Sequence, residues 1–180
     1  MSDVKRFFDP TNLLNPGVLV EPASMTADLR TSEYKPVRDK LALHYPEDHH
    51  DFAAAVHRCT GVGKCRAGSR ATGGVMCPSF EATHDEKDST RGRARVLQDA
   101  MEGRLGPNIW GNAELKDVLD LCLSCRGCSS DCPTGVDIAT YKSEVLHQIY
   151  RRKIRPRSHY TLGRLPSWNK VAGINPAISN

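Results

Sequence analysis

The chain has 180 residues, of which 25 are Lys or Arg and 21 are Asp or Glu, so its formal net charge is +4. Hydrophobic residues make up only 39% and aromatic residues 6%, so something besides an ordinary apolar core must stabilise the fold. A transmembrane helix needs about 18 apolar residues, and no apolar run in this sequence approaches that length. No stretch typical of a secretion signal follows Met1. We therefore expect no transmembrane segment and a cytoplasmic location, with peripheral attachment at the inner face of the membrane left open.

The sequence predicts three consecutive regions. Residues 1–50 are predicted to be a tail and linker, because five prolines interrupt them and no helical or strand period persists. Residues 51–155 form the predicted domain, with helices of apolar periodicity near 92–102, 113–123 and 138–152. Residues 156–180 contain three prolines and little pattern, which predicts an irregular basic tail. No strand alternation is convincing, so the predicted fold class is all-α with long irregular N- and C-terminal tails.

Basic residues are concentrated near the end of the predicted domain. Five of them fall within seven positions, namely Arg151, Arg152, Lys153, Arg155 and Arg157. A nucleic-acid patch and a basic last helical turn that continues into a solvated tail are the two interpretations. No aromatic stacking pattern and no nucleic-acid motif accompany the charges, so we expect no nucleic-acid partner.

Cysteine is the most informative residue type. There are seven cysteines, at positions Cys59, Cys65, Cys77, Cys122, Cys125, Cys128 and Cys132. An odd count in a chain without a secretion signal argues against a disulfide framework. The sequence therefore favours metal or iron–sulfur ligation.

The strongest motif is Cys122-x2-Cys125-x2-Cys128-x3-Cys132, followed by Pro133. Three cysteines at intervals of three present three sulfurs to one cluster, and the fourth ligates the other cluster in two-cluster ferredoxins. Zinc is the alternative, but structural zinc sites usually use two separated pairs of ligands. Four cysteines within eleven residues therefore favour iron–sulfur clusters.

A second, incomplete copy of this motif precedes the first. Cys59 corresponds to Cys122, Cys65 to Cys128, and Cys77-Pro78 to Cys132-Pro133. Val62 stands where the first motif has Cys125, and 11 residues instead of 3 precede the last cysteine. The sequence thus indicates a ferredoxin-type motif with one ligand missing and an insertion.

The exchange of the last cysteines predicts two ligand sets. The first set holds a [4Fe–4S] cluster through Cys77, Cys122, Cys125 and Cys128. The second set holds its cluster through Cys59, Cys65 and Cys132. We prefer a [3Fe–4S] cluster there, because Val62 offers no ligand. The alternative is a [4Fe–4S] cluster whose fourth iron binds water, His57 or His84. In either case ligation cross-links the two motifs and stabilises the domain.

Longer segments resemble known families. The paired motifs are similar to the α-helical ferredoxin module of succinate dehydrogenase and anaerobic glycerol-3-phosphate dehydrogenase. The segments RCTGVGKCR, GGVMCPSFEATHDEKDSTRGRARVLQ, LDLCLSCRGCSSDCPTGVDIATYKSEVLHQ and RPRSHYTLGRLPSW resemble the iron–sulfur part of bacterial FAD-linked oxidases. These oxidases are related to D-lactate, glycolate and D-2-hydroxyglutarate dehydrogenases. FFDPTNLLNPGVLV resembles the end of their FAD-linked oxidase C-terminal domain.

The resemblance implies an α-helical ferredoxin-like dicluster domain that transfers electrons. It would pass them from a flavin domain that oxidises a 2-hydroxy acid, and that is absent from this chain, to a downstream acceptor. FAD is then expected only on a missing or partner domain. We assign no catalytic residue or substrate site, and the status of the chain as an enzyme stays open. The alternative function is an iron–sulfur protein whose cluster is structural or redox-sensing.

One further feature is the basic run Arg91-Gly92-Arg93-Ala94-Arg95. It is expected to dock the flavin domain, to moderate the negative charge of the clusters, or simply to form a solvated helical turn. Asp85, Glu86 and Asp88 precede it and are expected to pair with it.

Overall fold

The computed structural model describes residues 1–27, 35–38, 40–68 and 73–174. Within these ranges the chain forms helices, turns and loops, and no strand is present. The α-helices, numbered in chain order, are α1 (Ser2–Phe8), α2 (Phe52–His57), α3 (Pro78–Thr83), α4 (Thr90–Met101), α5 (Ala113–Asp120), α6 (Gly127–Asp131), α7 (Ile138–Tyr150), α8 (Arg157–Thr161) and α9 (Leu165–Ile174). Short 3-10 turns occur at Pro46–Asp48, Lys64–Arg66, Glu86–Asp88, Ile109–Gly111 and Leu162–Arg164. The all-α fold class is confirmed for the described residues.

Side-chain caps fix the start of the three helices that the sequence predicts. The Ser89 hydroxyl accepts a hydrogen bond from the backbone of α4, the Asn112 amide oxygen from that of α5, and the Asp137 carboxylate from that of α7. Each cap satisfies N–H groups that a helix start leaves without an intrahelical partner. Helix α5 ends at Asp120, before the predicted residue 123, because the chain turns there into the loop that carries three cysteines.

Helix α4 lies at the centre of the domain, packed against α2, α5 and α7. Its inward face is fully buried at Leu97 and Ala100, and α2 contributes the fully buried Phe52. Removal of the Leu97 and Phe52 side chains from water stabilises the fold by about 1.5–3 kcal/mol each. This packing holds the first turn of α4 in a fixed place beside the cysteines.

The chain divides into two compact units, residues 1–33 and residues 34–180. The later part of the predicted tail therefore belongs to the same compact unit as the domain and packs on it. The buried Glu144 carboxylate accepts hydrogen bonds from the backbone N–H groups of Ala42 and Leu43 at 3.0 Å, and Tyr45 packs against Phe52 with ring centroids 5.5 Å apart. The Glu144 hydrogen bonds join positions about a hundred residues apart, so local sequence patterns do not reveal them.

The C-terminal region differs from the prediction of an irregular tail. Residues 157–174 are helical in α8, a 3-10 turn and α9, and the positions after 174 lie outside the described residues. Pro156 is the N-cap of α8, and Pro166 is the second residue of α9. Proline is tolerated in the first turn of a helix, because the N–H that it lacks has no intrahelical partner there. These prolines begin helices instead of preventing them.

Candidate metal centre

One cavity of about 330 Å³ lies between the start of α3 and the loop that precedes α6. Four cysteines line it, namely Cys77, Cys122, Cys125 and Cys128. Cys77 and Cys128 are buried, Cys122 is half-buried and Cys125 is exposed. The structure therefore brings together the four cysteines of the first predicted set around one space, which is called the first cavity below.

A second cavity of about 280 Å³ lies beside it and is called the second cavity. Cys59, Cys65 and Cys132 line it, together with Val62. The Val62 side chain is 65% exposed, so this corner of the cavity opens to solvent. The three cysteines of the second predicted set are thus brought together as well, with an apolar residue in place of a fourth sulfur.

Two residues line both cavities. Met76 and Thr90 each border the first and the second cavity. Met76 precedes Cys77, and Thr90 is the first residue of α4. The two cavities are therefore adjacent and share Met76 and Thr90 in their walls.

The two cysteine loops follow the same backbone path. Gly61 and Gly63 have φ values of +87° and +82°, and the corresponding Ser124 and Arg126 have values of +53° and +61°. A helical turn follows each loop, at Lys64–Arg66 and in α6. Because left-handed residues are rare outside glycine, their repetition at equal spacing indicates a structural repeat. Val62 and Cys125 occupy equivalent places in it.

A helix N-terminus meets one sulfur in each cavity. The backbone N–H of Ile138, the first residue of α7, donates to Cys128 Sγ at 3.3 Å. The backbone N–H of Arg91, in the first turn of α4, donates to Cys65 Sγ at 3.4 Å. Hydrogen bonds to sulfur and the positive end of a helix dipole both favour negative charge at these positions.

When no metal is bound, burial favours the neutral, protonated form of these thiols. Desolvation raises the pKa of Cys128 to about 11, although the hydrogen bond from Ile138 opposes it. Desolvation likewise raises the pKa of Cys65, against the hydrogen bond from Arg91. Both groups therefore need a metal to displace the proton before they act as thiolate ligands near neutral pH.

Arg93 is a charged residue of the site. The sequence alone did not decide whether its side chain contacts the site or solvent. Its side chain is 1% exposed and lines the first cavity. Its Nη1 donates to Cys77 Sγ at 3.5 Å, and Nη2 lies 3.5 Å from Asp88 Oδ1. The signal in the sequence is its position four residues before Leu97, on the apolar face of α4. The expected pairing with the preceding acids is confirmed here and at Arg91, whose Nε lies 2.7 Å from Glu86 Oε1.

Asp131 is a second site residue that the sequence analysis missed. Its Oδ2 accepts hydrogen bonds from the backbone N–H groups of Val75 and Met76, at 2.6 and 3.0 Å. These bonds lower the pKa of the Asp131 carboxyl below its ordinary value. Asp131 precedes Cys132 and Met76 precedes Cys77, so the contact ties together the two cysteines that the motifs are predicted to exchange.

The two histidines considered as ligands do not line the second cavity. His57 Nδ1 is 2.7 Å from the carbonyl oxygen of Ala53. His84 ends α3 and packs edge-on against Phe80, with ring centroids 5.9 Å apart.

The donor sets fit clusters better than a single ion. In the described part of the chain, no three His, Cys, Asp or Glu side chains converge on a point that would hold one metal ion. The cysteines instead line two adjacent cavities, with four of them around the first and three around the second. Four thiols, helix N-termini and a buried arginine are the ligands and hydrogen-bond donors that an iron–sulfur cluster uses.

Comparison with known proteins gives the same assignment. Residues 55–136 match the family described as a 4Fe-4S dicluster domain. D-2-hydroxyglutarate dehydrogenase of Pseudomonas putida is 28% identical over an alignment 194 residues long, which includes 90% of this chain and 19% of that protein. The Haemophilus influenzae enzyme of the same name is 26% identical over 194 residues, with the same coverage. The glycolate oxidase iron-sulfur subunit of Escherichia coli is 32% identical over 78 residues, or 43% of this chain and 16% of that subunit.

The chain spans about a fifth of the length of the dehydrogenases that it matches. No solved structure matches it significantly. Of the helices that the structure describes, none has the length and apolar character needed to cross a membrane. Residues 55–136 thus match the 4Fe-4S dicluster domain family, and the chain is similar over most of its length to D-2-hydroxyglutarate dehydrogenases and over 78 residues to a glycolate oxidase iron-sulfur subunit.

Proposed function

We propose that this chain relays electrons from a flavin domain, which oxidises a 2-hydroxy acid, to a downstream acceptor. The observation that carries the proposal is the common wall of Met76 and Thr90 between the two cysteine-lined cavities. Iron–sulfur clusters supply one-electron acceptance and release when bound. Two such sites in series suit a relay, whereas a purely structural metal requires only one.

The ligand sets of the proposal are those predicted from the motif spacing. The first cavity would hold a [4Fe–4S] cluster through Cys77, Cys122, Cys125 and Cys128. The second would hold a [3Fe–4S] cluster through Cys59, Cys65 and Cys132. The place of Val62 in the second loop supports three irons, because its side chain has no donor atom. A four-iron cluster with an open corner is the alternative, and the exposure of Val62 leaves room for water at that corner.

The remaining residues of the chain hold and tune these sites. The N-termini of α4 and α7 direct N–H groups at Cys65 and Cys128. Asp131 joins the two segments of the chain that carry Cys77 and Cys132. Together these contacts support the proposal of an α-helical ferredoxin-like module over residues 51–155, on which residues 35–38 and 40–48 pack.

The partner in this proposal is a flavin-binding oxidase domain or subunit that carries the FAD. Two classes of relatives support the choice, because D-2-hydroxyglutarate and glycolate, the compounds in their names, are both 2-hydroxy acids. Oxidation of a 2-hydroxy acid releases two electrons as a hydride, and the flavin would pass them on singly. We assign the substrate site and all catalytic residues to the flavin domain.

A peripheral position at the inner face of the membrane belongs to the same proposal. The basic segment Arg151–Arg157 precedes helix α9, where Leu165, Trp168 and Val171 are exposed. Basic residues beside an exposed apolar helix face suit an anionic lipid surface. Cosedimentation of the chain with phosphatidylglycerol vesicles, but not with phosphatidylcholine vesicles, would support this position, and equal recovery from both would contradict it.

The test is anaerobic reconstitution of the 180-residue chain, with iron and sulfide analysis and a redox titration followed by EPR. We expect two clusters that are reduced and reoxidised reversibly by one electron each. A chain that binds zinc or no metal under these conditions contradicts the cluster assignment. Clusters that decompose on reduction contradict the relay.

A redox-sensing protein is the second candidate function. The exposure of Cys125 and of Val62 favours it, because oxidants reach both cavities from solvent. A sensor loses a cluster on mild oxidation and changes conformation, whereas a relay returns to its starting spectrum. Repeated oxidation and reduction of one sample, monitored by visible absorption and circular dichroism, separates the two functions.

A further inference from the structure

Two arginines line the first cavity. The side chain of Arg126 is 68% exposed, whereas solvent does not reach that of Arg93. Arg93 is buried to all but 1% of its surface, and Asp88 to all but 2%. Burial of a guanidinium is costly unless hydrogen bonds compensate for the lost water. A cation retained at this position therefore needs a full set of partners.

The partners of Arg93 hold its guanidinium in one orientation. Its Nε donates to the carbonyl oxygen of Val118 at 3.0 Å, and Nη1 donates to Ser79 Oγ at 2.9 Å. The same Nη1 also donates to the carbonyl oxygen of Asp88 and to Cys77 Sγ at 3.5 Å. The group is thus fixed between α3, α4 and α5 with one edge directed at a sulfur of the first cavity.

The second cavity has no equivalent buried cation among the residues that line it. Lys64 and Arg91 line it and both are only half-buried, and the Arg91 side chain is 30% exposed and paired with Glu86. Water screens a charge at such a position far more than it screens Arg93. The two cavities therefore differ in electrostatic surroundings as well as in the number of sulfurs.

We propose that Arg93 is the residue that raises the reduction potential of the cluster held by Cys77, Cys122, Cys125 and Cys128, and that Asp88 limits the increase. The inference rests on the proposed function, since it requires a redox-active cluster in the first cavity. Reduction adds one negative charge to the cluster, and a buried cation hydrogen-bonded to Cys77 stabilises that charge. The carboxylate of Asp88 acts on the same charge with opposite sign.

The experiment compares Arg93→Met, Arg93→Lys and Asp88→Asn with the wild-type chain in EPR-monitored redox titrations. Arg93→Met should lower the potential of the first cluster by at least a tenfold change in the one-electron equilibrium constant, which is about 59 mV. Arg93→Lys keeps the charge and should recover part of the loss. Asp88→Asn should shift the same potential upward.

The second cluster in the same sample is the internal control, and Arg95→Met is the matched surface control, because Arg95 is exposed on α4 and lines neither cavity. Neither Arg93 nor Asp88 lines the second cavity, so its potential should change much less than that of the first cluster in both variants. Arg95→Met should leave the first cluster at its wild-type potential. Equal shifts of both clusters in Arg93→Met would indicate general loosening of the fold and would overturn the proposal.

Asp88→Asn keeps the proposal falsifiable if Arg93→Met fails to bind the first cluster. An unchanged or lowered potential in Asp88→Asn would then overturn it. Failure of the proposed function gives a different result, because wild-type chain would then lack reversible clusters altogether. An unchanged first-cluster potential in a fully loaded Arg93→Met variant overturns the role of Arg93 and leaves the relay intact.

Discussion

Val62 holds in the second cysteine loop the place that Cys125 holds in the first. Each is flanked on both sides by residues in the left-handed region, namely Gly61 and Gly63 around Val62, and Ser124 and Arg126 around Cys125. Each also lines the cavity of its own loop. The backbone of the second loop therefore has the conformation that presents a ligand in the first loop. The Val62 side chain, however, has no donor atom to act as that ligand.

Val62→Cys should accordingly complete the second ligand set. We expect the iron content of anaerobically reconstituted chain to rise from about seven to about eight per chain, as a three-iron cluster becomes a four-iron one. The EPR signal of the oxidised three-iron cluster should disappear at the same time. Val171→Cys, at an exposed valine of α9 that lines neither cavity, is the matched control and should leave both quantities unchanged. An unaltered signal in Val62→Cys would show that this position does not face a cluster.

The exchange of the last cysteines between motifs predicts selective damage. Cys125→Ser should reduce the occupancy of the four-iron cluster and leave the other cluster largely intact, because Cys125 lines only the first cavity. Cys59→Ser should have the opposite effect. Iron and sulfide analysis with EPR of both oxidation states measures each cluster separately.

Cys77 and Cys132 give the sharper form of this experiment. Each lies in one motif but lines the cavity of the other. Cys77→Ser should therefore resemble Cys125→Ser, although Cys77 belongs to the motif of Cys59. If it resembled Cys59→Ser instead, each motif would hold its own cluster and the assignment of ligands would be wrong.

Spacing alone carries the prediction of the site, because cysteines at intervals of three and a following proline constrain where sulfurs lie whatever the rest of the fold does. The same is true of the three capped helices, whose start signals are local. Arg93 was harder to interpret, since a basic run reads equally well as a solvated turn. Its burial depends on Asp88, Ser79 and Val118, three partners from separate segments.

The fold outside the site was less predictable for a similar reason. Helices α8 and α9 lack a buried residue, so the apolar periodicity on which helix prediction depends is weak there. Residues 35–38 and 40–48 are held by Glu144 and by Asp51, which accepts a hydrogen bond from the backbone N–H of Val37 at 2.9 Å. The sequence of a proline-rich segment, considered alone, does not indicate such long-range partners.

The metal-free chain should show an ordered pattern of thiol reactivity. Burial raises the pKa of Cys128 to about 11, so the reactive thiolate is scarce at pH 8 and increases as the pH rises toward that value. Cys125 is exposed and should be alkylated first. Mass-spectrometric mapping after short exposure to iodoacetamide should give Cys125 well ahead of Cys128, and denaturant should remove the difference. Equal rates without denaturant would show that the loop takes its shape only when the metal is bound.

Gly92 should be the least replaceable glycine of the domain. It lies in the first turn of α4, between the residue that bonds Cys65 and the residue that bonds Cys77. A Cβ at this position would overlap the backbone of Glu86 and Lys87, which is not free to move as a side chain end would be. Gly92→Ala should therefore push the turn Glu86–Asp88 away from α4, and overpacking of this kind costs about 1–3 kcal/mol.

Displacement of the turn Glu86–Asp88 should lower the occupancy of the first cluster by more than the loss of thermal stability alone would lower it. Asp88 contacts Arg93, so a shifted turn changes the charge beside Cys77 as well as the packing. Gly163→Ala is the matched control, because a Cβ there meets nothing within 4 Å. We expect Gly92→Ala to lower both the melting temperature and the occupancy of the first cluster, and Gly163→Ala to change neither. Wild-type values in Gly92→Ala would mean that the first turn of α4 does not press against the segment that precedes it, and the close approach on which the position of Arg93 depends would be wrong.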